Sequence, residues 1–274
     1  TISINNLLYD PPTLVESSVS DENGFYSIDI DPGYYLIEYT IDGYISLQIS
    51  DVGIASDIVM DDVVLYPGAI LEVSGDVFGQ WTADYEYWVM EDIVIPEGEL
   101  LSIGPGVRVK FSEGVGLIAN GTLEVNGTEN NIVLFTALNP SPLPGSWGNI
   151  ELFAENNIIT YLDYELASDG FTGDNASGSV FEYIYISKMP HSANGIVLLN
   201  SENMTIANSE FSVEGDYGIY VTEGNNSTFT NNIFGMGLHN IGLTNIIFCS
   251  GCTYSTFSNN QSGEIGSSNY FYSY

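Results

Sequence analysis

Lysine and arginine are nearly absent. Only Arg108, Lys110 and Lys188 occur among 274 residues, against 36 Asp plus Glu, and the formal net charge is −33. The acid count is ordinary for this length, so the imbalance comes from missing cations. Such a surface repels nucleic acid and anionic lipid, and both are excluded as partners. It also repels its own copies unless salt shortens the Debye length, to about 3 Å near 1 M, or divalent cations bridge it. An extracellular or cell-surface setting rich in salt or calcium is the expectation.

Long apolar runs are missing as well. No stretch of about 18 apolar residues occurs, so no membrane insertion is expected, and the first residues lack the basic and apolar regions of a signal peptide. Cysteine is limited to Cys249 and Cys252 in "FCSGCTYS". That spacing is compatible with a disulfide, a thiol pair or half of a zinc site, and an oxidising exterior favours the disulfide. Zinc would need two more ligands, for which only His191 and His239 are on offer. Covalent c-type haem is excluded, because Thr253 stands where a His would follow the second Cys.

What is abundant is short strand. "GLIANGTLEVNGTENNIVLFT", Gly116 to Thr136, starts apolar runs and stops each at a Gly or Asn step, and the pattern recurs along most of the chain. It predicts an all-β protein. Two domains are expected, a small antiparallel β-sandwich over 1–68 and a right-handed parallel β-helix over 69–274. Within the first, "FYSIDI" and "YLIEYTI" alternate apolar and polar residues with the period of a sheet that buries one face.

The run "SVSDENGFYSIDIDPGYYLIEYTIDGY" resembles the carboxypeptidase regulatory-like family, a transthyretin-like sandwich, at Asp21, Gly24, Tyr26, Pro32, Gly33, Tyr35 and the "DGY" of Asp42 to Tyr44. Members of that family open with a Gly-x-Val strand that this chain begins too late to contain. The resemblance therefore implies either a longer polypeptide or an open sheet edge that a neighbour's strand fills by β-augmentation. Further on, Pro96, Gly98, the Pro105-Gly106-Val107 turn, the turns at Asn120-Gly121 and Asn126-Gly127, and Pro144-Gly145-Ser146-Trp147-Gly148 resemble the opening segment of right-handed β-helices of the pectate-lyase-like superfold, as in prokaryotic cell-surface proteins.

The repeat stands without any family. "GIVLLNSENMTIANSEF" (Gly195 to Phe211) aligns without gaps on "GIYVTEGNNSTFTNNIF" (Gly218 to Phe234), and "TFSNN" from Thr256 echoes "TFTNN" from Thr228. Repeats of this length mean stacked units. One coil per repeat would stack Ile206 on Phe229 inside and form a ladder of Asn208 and Asn231 at a turn. The third coil has five extra residues, expected between Gly242 and Thr256, where the cysteines would decorate a bulge. "SDGFTGDNASGS" (Ser168 to Ser179) reads as a surface loop.

Catalytic chemistry finds little support. The resemblance to polysaccharide lyases implies an Arg or Lys base, but Arg108, Lys110 and Lys188 read as solvated, and an acidic face repels polyuronides. Paired carboxylates suit glycoside hydrolysis. Asp163 with Glu165, and Asp61 with Asp62, are such pairs, and solvation explains them as well. His191 and His239 read as turn residues, and no Gly-x-Ser-x-Gly elbow flanks a Ser. No catalytic residue is assigned and no cofactor is expected except Ca²⁺, for which Asp169 and Asp174 in one loop, and Asp21, Glu22 and Asn23 in another, are candidate ligands. Sequons make Asn120, Asn126, Asn175, Asn203, Asn225, Asn226 and Asn260 glycosylation candidates.

With 19 Tyr, 13 Phe and three Trp, ending in "NYFYSY", aromatic rows suit sugars or partner subunits, and Tyr also fits a half-buried sheet. The sequence is thus read as a non-enzymatic structural subunit of a surface layer, sheath or filament, with copies of itself as partners. A glycan-binding adhesin is the alternative, and a carbohydrate-active enzyme the third reading.

Overall fold

The computed structural model describes residues 1–6, 13–21, 23–41, 44, 47–60, 63, 65, 68–235, 245–262 and 271–273. The chain is all-β, with no helix among these residues, and divides into two compact units, Thr1–Ile70 and Leu71–Tyr274.

The first unit is built on β1 (Ile2–Asn6), β2 (Thr13–Ser18), β3 (Gly33–Tyr39) and β4 (Leu47–Ile54), an antiparallel sheet in the order β2-β1-β3-β4. The period of two puts Ile2, Ile4, Tyr35, Ile37 and Tyr39 on one buried face. Tyr26, Ile28, Ile30, Met60, Val63 and Leu65 cover that face. Among the described residues this covering layer is extended chain laid against the antiparallel sheet. "FYSIDI" alternates as a strand does, so its apolar side chains point inward, but its backbone makes no ladder. The hydroxyls of Tyr26 and Tyr39 share a hydrogen bond of 2.6 Å, and Tyr35 Oη donates to the Asp31 carbonyl at 2.7 Å. β2 lies at the edge with Leu14 and Val15 exposed.

The second unit is a coil of parallel strands. Each turn contributes up to three short strands, and each strand pairs with the equivalent strand of the next turn. The first face runs through Leu117–Ala119, Ile150–Leu152, Phe171–Asp174, Ile196–Leu199, Tyr217–Thr222, Asn245–Ser250 and Phe271–Ser273. A second face stacks Leu100–Ile103, Thr122–Asn126, the first halves of Ile158–Glu165 and Val180–Ser187, then Thr205–Ala207, Thr228–Thr230 and Thr256–Ser258. The third joins the start of Tyr85–Ile95 to Arg108–Phe111, Val133–Ala137, the second halves of Ile158–Glu165 and Val180–Ser187, then Glu210–Phe211, Ile233–Phe234 and Gln261–Ser262.

The aligned repeats pair as expected. Ile206 lies on Phe229, both fully buried, and Asn231 Nδ2 donates to Asn208 Oδ1 at 3.0 Å. Phe229 stacks on Phe257, and Phe111, Trp147, Tyr164, Phe171 and Phe181 continue an aromatic column inside the coil. Inside, polar side chains also stack: Asn232 Oδ1 accepts from the Ser209 N–H, and Asn260 Oδ1 accepts from both the N–H and the Nδ2 of Asn232. These bonds satisfy buried backbone groups at a corner, where no strand partner exists.

Two sequence expectations change. The five extra residues fall between Phe234 and Asn245, since Phe211 pairs with Phe234 at the old offset and Tyr217 with Asn245 at the new one. The cysteines therefore sit in a regular rung, with Cys249 buried against Val221, and they form a disulfide. It stacks on Gly224, where a Cβ would come within 2.7 Å of Cys252 Sγ and 2.8 Å of Cys249 Sγ. "SDGFTGDNASGS" is also not a loop throughout. Phe171–Asp174 is a first-face strand, and its glycines serve close approach: a Cβ on Gly173 would meet the Leu152 carbonyl oxygen at 2.2 Å.

Candidate functional site

The coil turns at corners where one residue per rung adopts positive φ, and the column of such residues fixes what each corner displays. One column holds Asn156, Gly178, Asn203, Asn226 and Tyr254. Another holds Tyr161, Tyr183, Asn208, Asn231 and Asn259. Asn is the non-glycine residue that tolerates this conformation best, and the Asn231 amide also bonds to Asn208 on the preceding rung. Tyrosine does not tolerate it well. Yet Tyr161 (φ 50°) and Tyr183 (φ 56°) hold it on consecutive rungs, with rings stacked at 4.5 Å and 7°. No sequence signal marks these two residues, because the ladder they interrupt is written in Asn.

Beside this corner, on the outer side of the third face, cross-strand pairing aligns Glu86, Arg108, Leu134, Asp163, Tyr185 and Glu210 in one row. Trp88, Lys110 and Thr136 occupy the next, and Thr136 Oγ1 donates to Glu165 Oε1 at 2.9 Å. All three cations of the chain lie on or next to this face. Glu86 is buried, and its carboxylate takes Lys110 Nζ at 2.9 Å, Arg108 Nε at 3.3 Å and Trp88 Nε1 at 2.7 Å. Lys188, at a positive-φ corner, pairs with Glu165. The expected solvated cations are thus bound to acids. A carboxylate sunk in a strand face demands a counter-charge, and rungs one turn away supply it.

Asp163 and Glu165 do share a strand face, as the alternation predicts. Their environments differ. Glu165 has Lys188 and Thr136, whereas Asp163 Oδ1 is buried without a partner. Burial, then the neighbouring Glu165 charge, pushes the Asp163 carboxyl up to about 6, with Lys188 opposing. Lys188 is itself held above the usual lysine range by the Glu165 hydrogen bond.

The other candidates are placed as follows. Asp21 Oδ1 accepts the N–H groups of Asn23 and Phe25, an Asx turn. Asp169 Oδ1 accepts those of Gly170 and Asn194, and burial raises its pKa. Asp174 Oδ1 takes Asn200 Nδ2 at 2.8 Å. Among the described residues no three His, Cys, Asp or Glu side chains gather as a metal site. Glu22, Asp61, Asp62 and His239 lie outside the described residues. His191 Nδ1 lies 3.3 Å from the buried Glu214.

The structure sorts the sequons. Asn120, Asn175, Asn203 and Asn226 are exposed. Asn126 Nδ2 donates to Ser102 and Glu124, Asn225 Oδ1 holds Thr253, and Asn260 Nδ2 donates to the Phe229 carbonyl inside the coil. Glycosylation of Asn260 would break the internal ladder.

The fold therefore defines a coiled parallel β-protein carrying a small antiparallel sheet unit. No protein-family model, no curated protein and no solved structure matches the chain.

Proposed function

We propose that this chain is a non-enzymatic extracellular structural protein, the subunit of a surface layer, sheath or filament. One observation carries the reading: the first unit presents a strand edge. β2 pairs on one side only among the described residues and exposes Leu14 and Val15 along that edge. Unpaired strand edges are templates for another chain.

The finer family reading belongs to the same proposal. It makes the first unit a carboxypeptidase regulatory-like sandwich domain that receives a donor strand from a neighbouring subunit, and the second a right-handed β-helix of the pectate-lyase-like superfold. The disulfide and four exposed sequons support an oxidising, glycosylated exterior. Acidic subunits associate there through Ca²⁺ or under high salt. Negative-stain electron microscopy of native and purified material, with millimolar Ca²⁺ and with chelator, tests the proposal. Ordered filaments or sheets that dissolve in chelator are expected. Uniform monomers in every condition would overturn it.

A further inference from the structure

We infer that Asn23-Gly24, in the first unit, is a site of spontaneous covalent modification, where Asn23 becomes aspartate or isoaspartate while the coil holds the other three Asn-Gly steps intact. The inference goes beyond the structural role and does not rest on it.

The chemistry is intramolecular. The Gly backbone nitrogen loses its proton and bonds to the Asn Cγ, and the side-chain nitrogen leaves as ammonia. Solvent water then opens the resulting five-membered imide at one of its two carbonyls. One opening gives aspartate, and the other gives isoaspartate, whose main chain runs through Cβ and Cγ. Gly favours ring closure because it has no Cβ to obstruct it and rotates freely. Two conditions follow for a folded chain: solvent must reach the Gly N–H, and the Asn-Gly link must be able to turn its nitrogen toward Cγ.

The sequence contains four such steps, at Asn23, Asn120, Asn126 and Asn194. Three lie in the coil and fail both conditions. Gly121 N–H donates to the Ile95 carbonyl at 2.9 Å, Gly127 N–H to Thr160 at 3.0 Å and Gly195 N–H to Tyr217 at 3.1 Å, each on a neighbouring rung. The same glycines are pressed against backbone. A Cβ would meet the Glu99 carbonyl oxygen at 2.3 Å from Gly121, that of Tyr161 at 2.2 Å from Gly127, and that of Gly218 at 2.3 Å from Gly195. Turning any of these links breaks a bond between rungs and drives backbone into backbone, so reaction there waits for the coil to open. Side-chain exposure does not make the distinction, because Asn120 is exposed as Asn23 is.

At Asn23-Gly24 neither restraint holds. The Gly24 N–H bonds within its own exposed turn, to the Asp21 carbonyl at 3.1 Å. Beyond its chain neighbours, no atom lies within 4 Å of a Cβ placed on Gly24. The product alters the turn. Asp21 Oδ1 accepts the N–H groups of Asn23 at 2.8 Å and Phe25 at 3.0 Å, and isoaspartate inserts a methylene between those two donors. Either product also replaces a neutral amide with a carboxylate, one more negative charge on a chain at −33.

The test ages the full chain in mildly alkaline buffer at body temperature, folded and in guanidinium chloride, and follows each Asn-Gly peptide by mass spectrometry. In the folded chain the Asn23 peptide should gain about 1 Da at least about tenfold faster than the other three, and in denaturant all four should convert at similar rates. Isoelectric focusing should show one new acidic band on ageing, absent from Asn23→Gln. An Asn23 that stays intact when folded, while the denatured chain converts, would overturn the site. So would equal rates at all four steps in the folded chain, or an acidic band that persists in Asn23→Gln. The same lead for Asn23 in denaturant would assign the order to local sequence and overturn the protection by the coil.

Discussion

Two carboxylates on one face of the coil show how neighbours one rung away decide the state of a side chain. Glu86 is buried and has two cations and an indole N–H; Asp163 is less buried and has an unpartnered oxygen. Asp163 titrates at about 6 in the fold, against an ordinary 3.8. Its proton is held more tightly folded than unfolded, so stability falls as pH rises from about 4 to about 6, and the penalty is complete above that window. Asp163→Asn should therefore stabilise the coil at pH 7.5 by about 1 kcal/mol, after discounting for solvent screening, and change nothing near pH 3.5. Urea midpoints at the two pH values check this. An equal gain at both would assign it to packing instead of ionisation. The sequence showed Asp163 and Glu165 on one face, because a period of two is local. It did not show Lys188 reaching Glu165 or Arg108 reaching Glu86, since those contacts depend on rung length, about 22 residues away in sequence.

At the scale of strands and corners, the coil is held by repetition. Rungs stack inward-facing apolar residues, and the corners need separate hydrogen-bond partners because the backbone there leaves the ladder. The internal series Ser209, Asn232, Asn260 supplies them. Asn232→Ala would strand the Ser209 N–H and remove the donor to the Ile206 carbonyl, both buried, at a cost of about 2–3 kcal/mol. Asn231→Ala, on the exposed ladder next door, loses one exposed bond and places Ala at positive φ, costing about 1–2 kcal/mol. Chemical denaturation of the two variants should rank them in that order, and the reverse ranking would mean that water enters the vacated corner. The exposed ladder was readable in advance, because Asn208 and Asn231 repeat at a fixed offset with Thr and Phe, whereas the internal series was not, because Ser209 stands where Asn232 and Asn260 carry the amide. The strand Phe171–Asp174 was not, because Gly170 and Gly173 read as turn residues while serving close backbone approach: a Cβ on Gly170 would sit 1.7 Å from the Gly195 carbonyl oxygen. The tyrosine corner was not readable either, since positive φ at Tyr has no residue preference to announce it.

For the whole molecule the decisive quantity is charge. The net charge is −33, and the three cations are already committed to Glu86 and Glu165 within the coil unit. None is left to meet a neighbour's acids. Any contact between copies therefore sets acid against acid, and only the solution can change its sign. Two mechanisms are separable by concentration. Screening needs ionic strength, with a Debye length of about 10 Å at 0.1 M and about 3 Å at 1 M, so NaCl should act only toward the upper end. Bridging needs a divalent ion with oxygen ligands on both sides, so a few millimolar CaCl₂ should suffice at an ionic strength where NaCl does nothing. Sedimentation velocity across both titrations is expected to show monomer at low salt with chelator, growth in millimolar Ca²⁺, and growth in NaCl only toward 1 M. If Mg²⁺ at equal concentration matches Ca²⁺, diffuse divalent screening is enough. If Ca²⁺ acts alone, carboxylates from two copies form shared sites at the contact, and the deficit of lysine and arginine is what makes assembly answer to calcium.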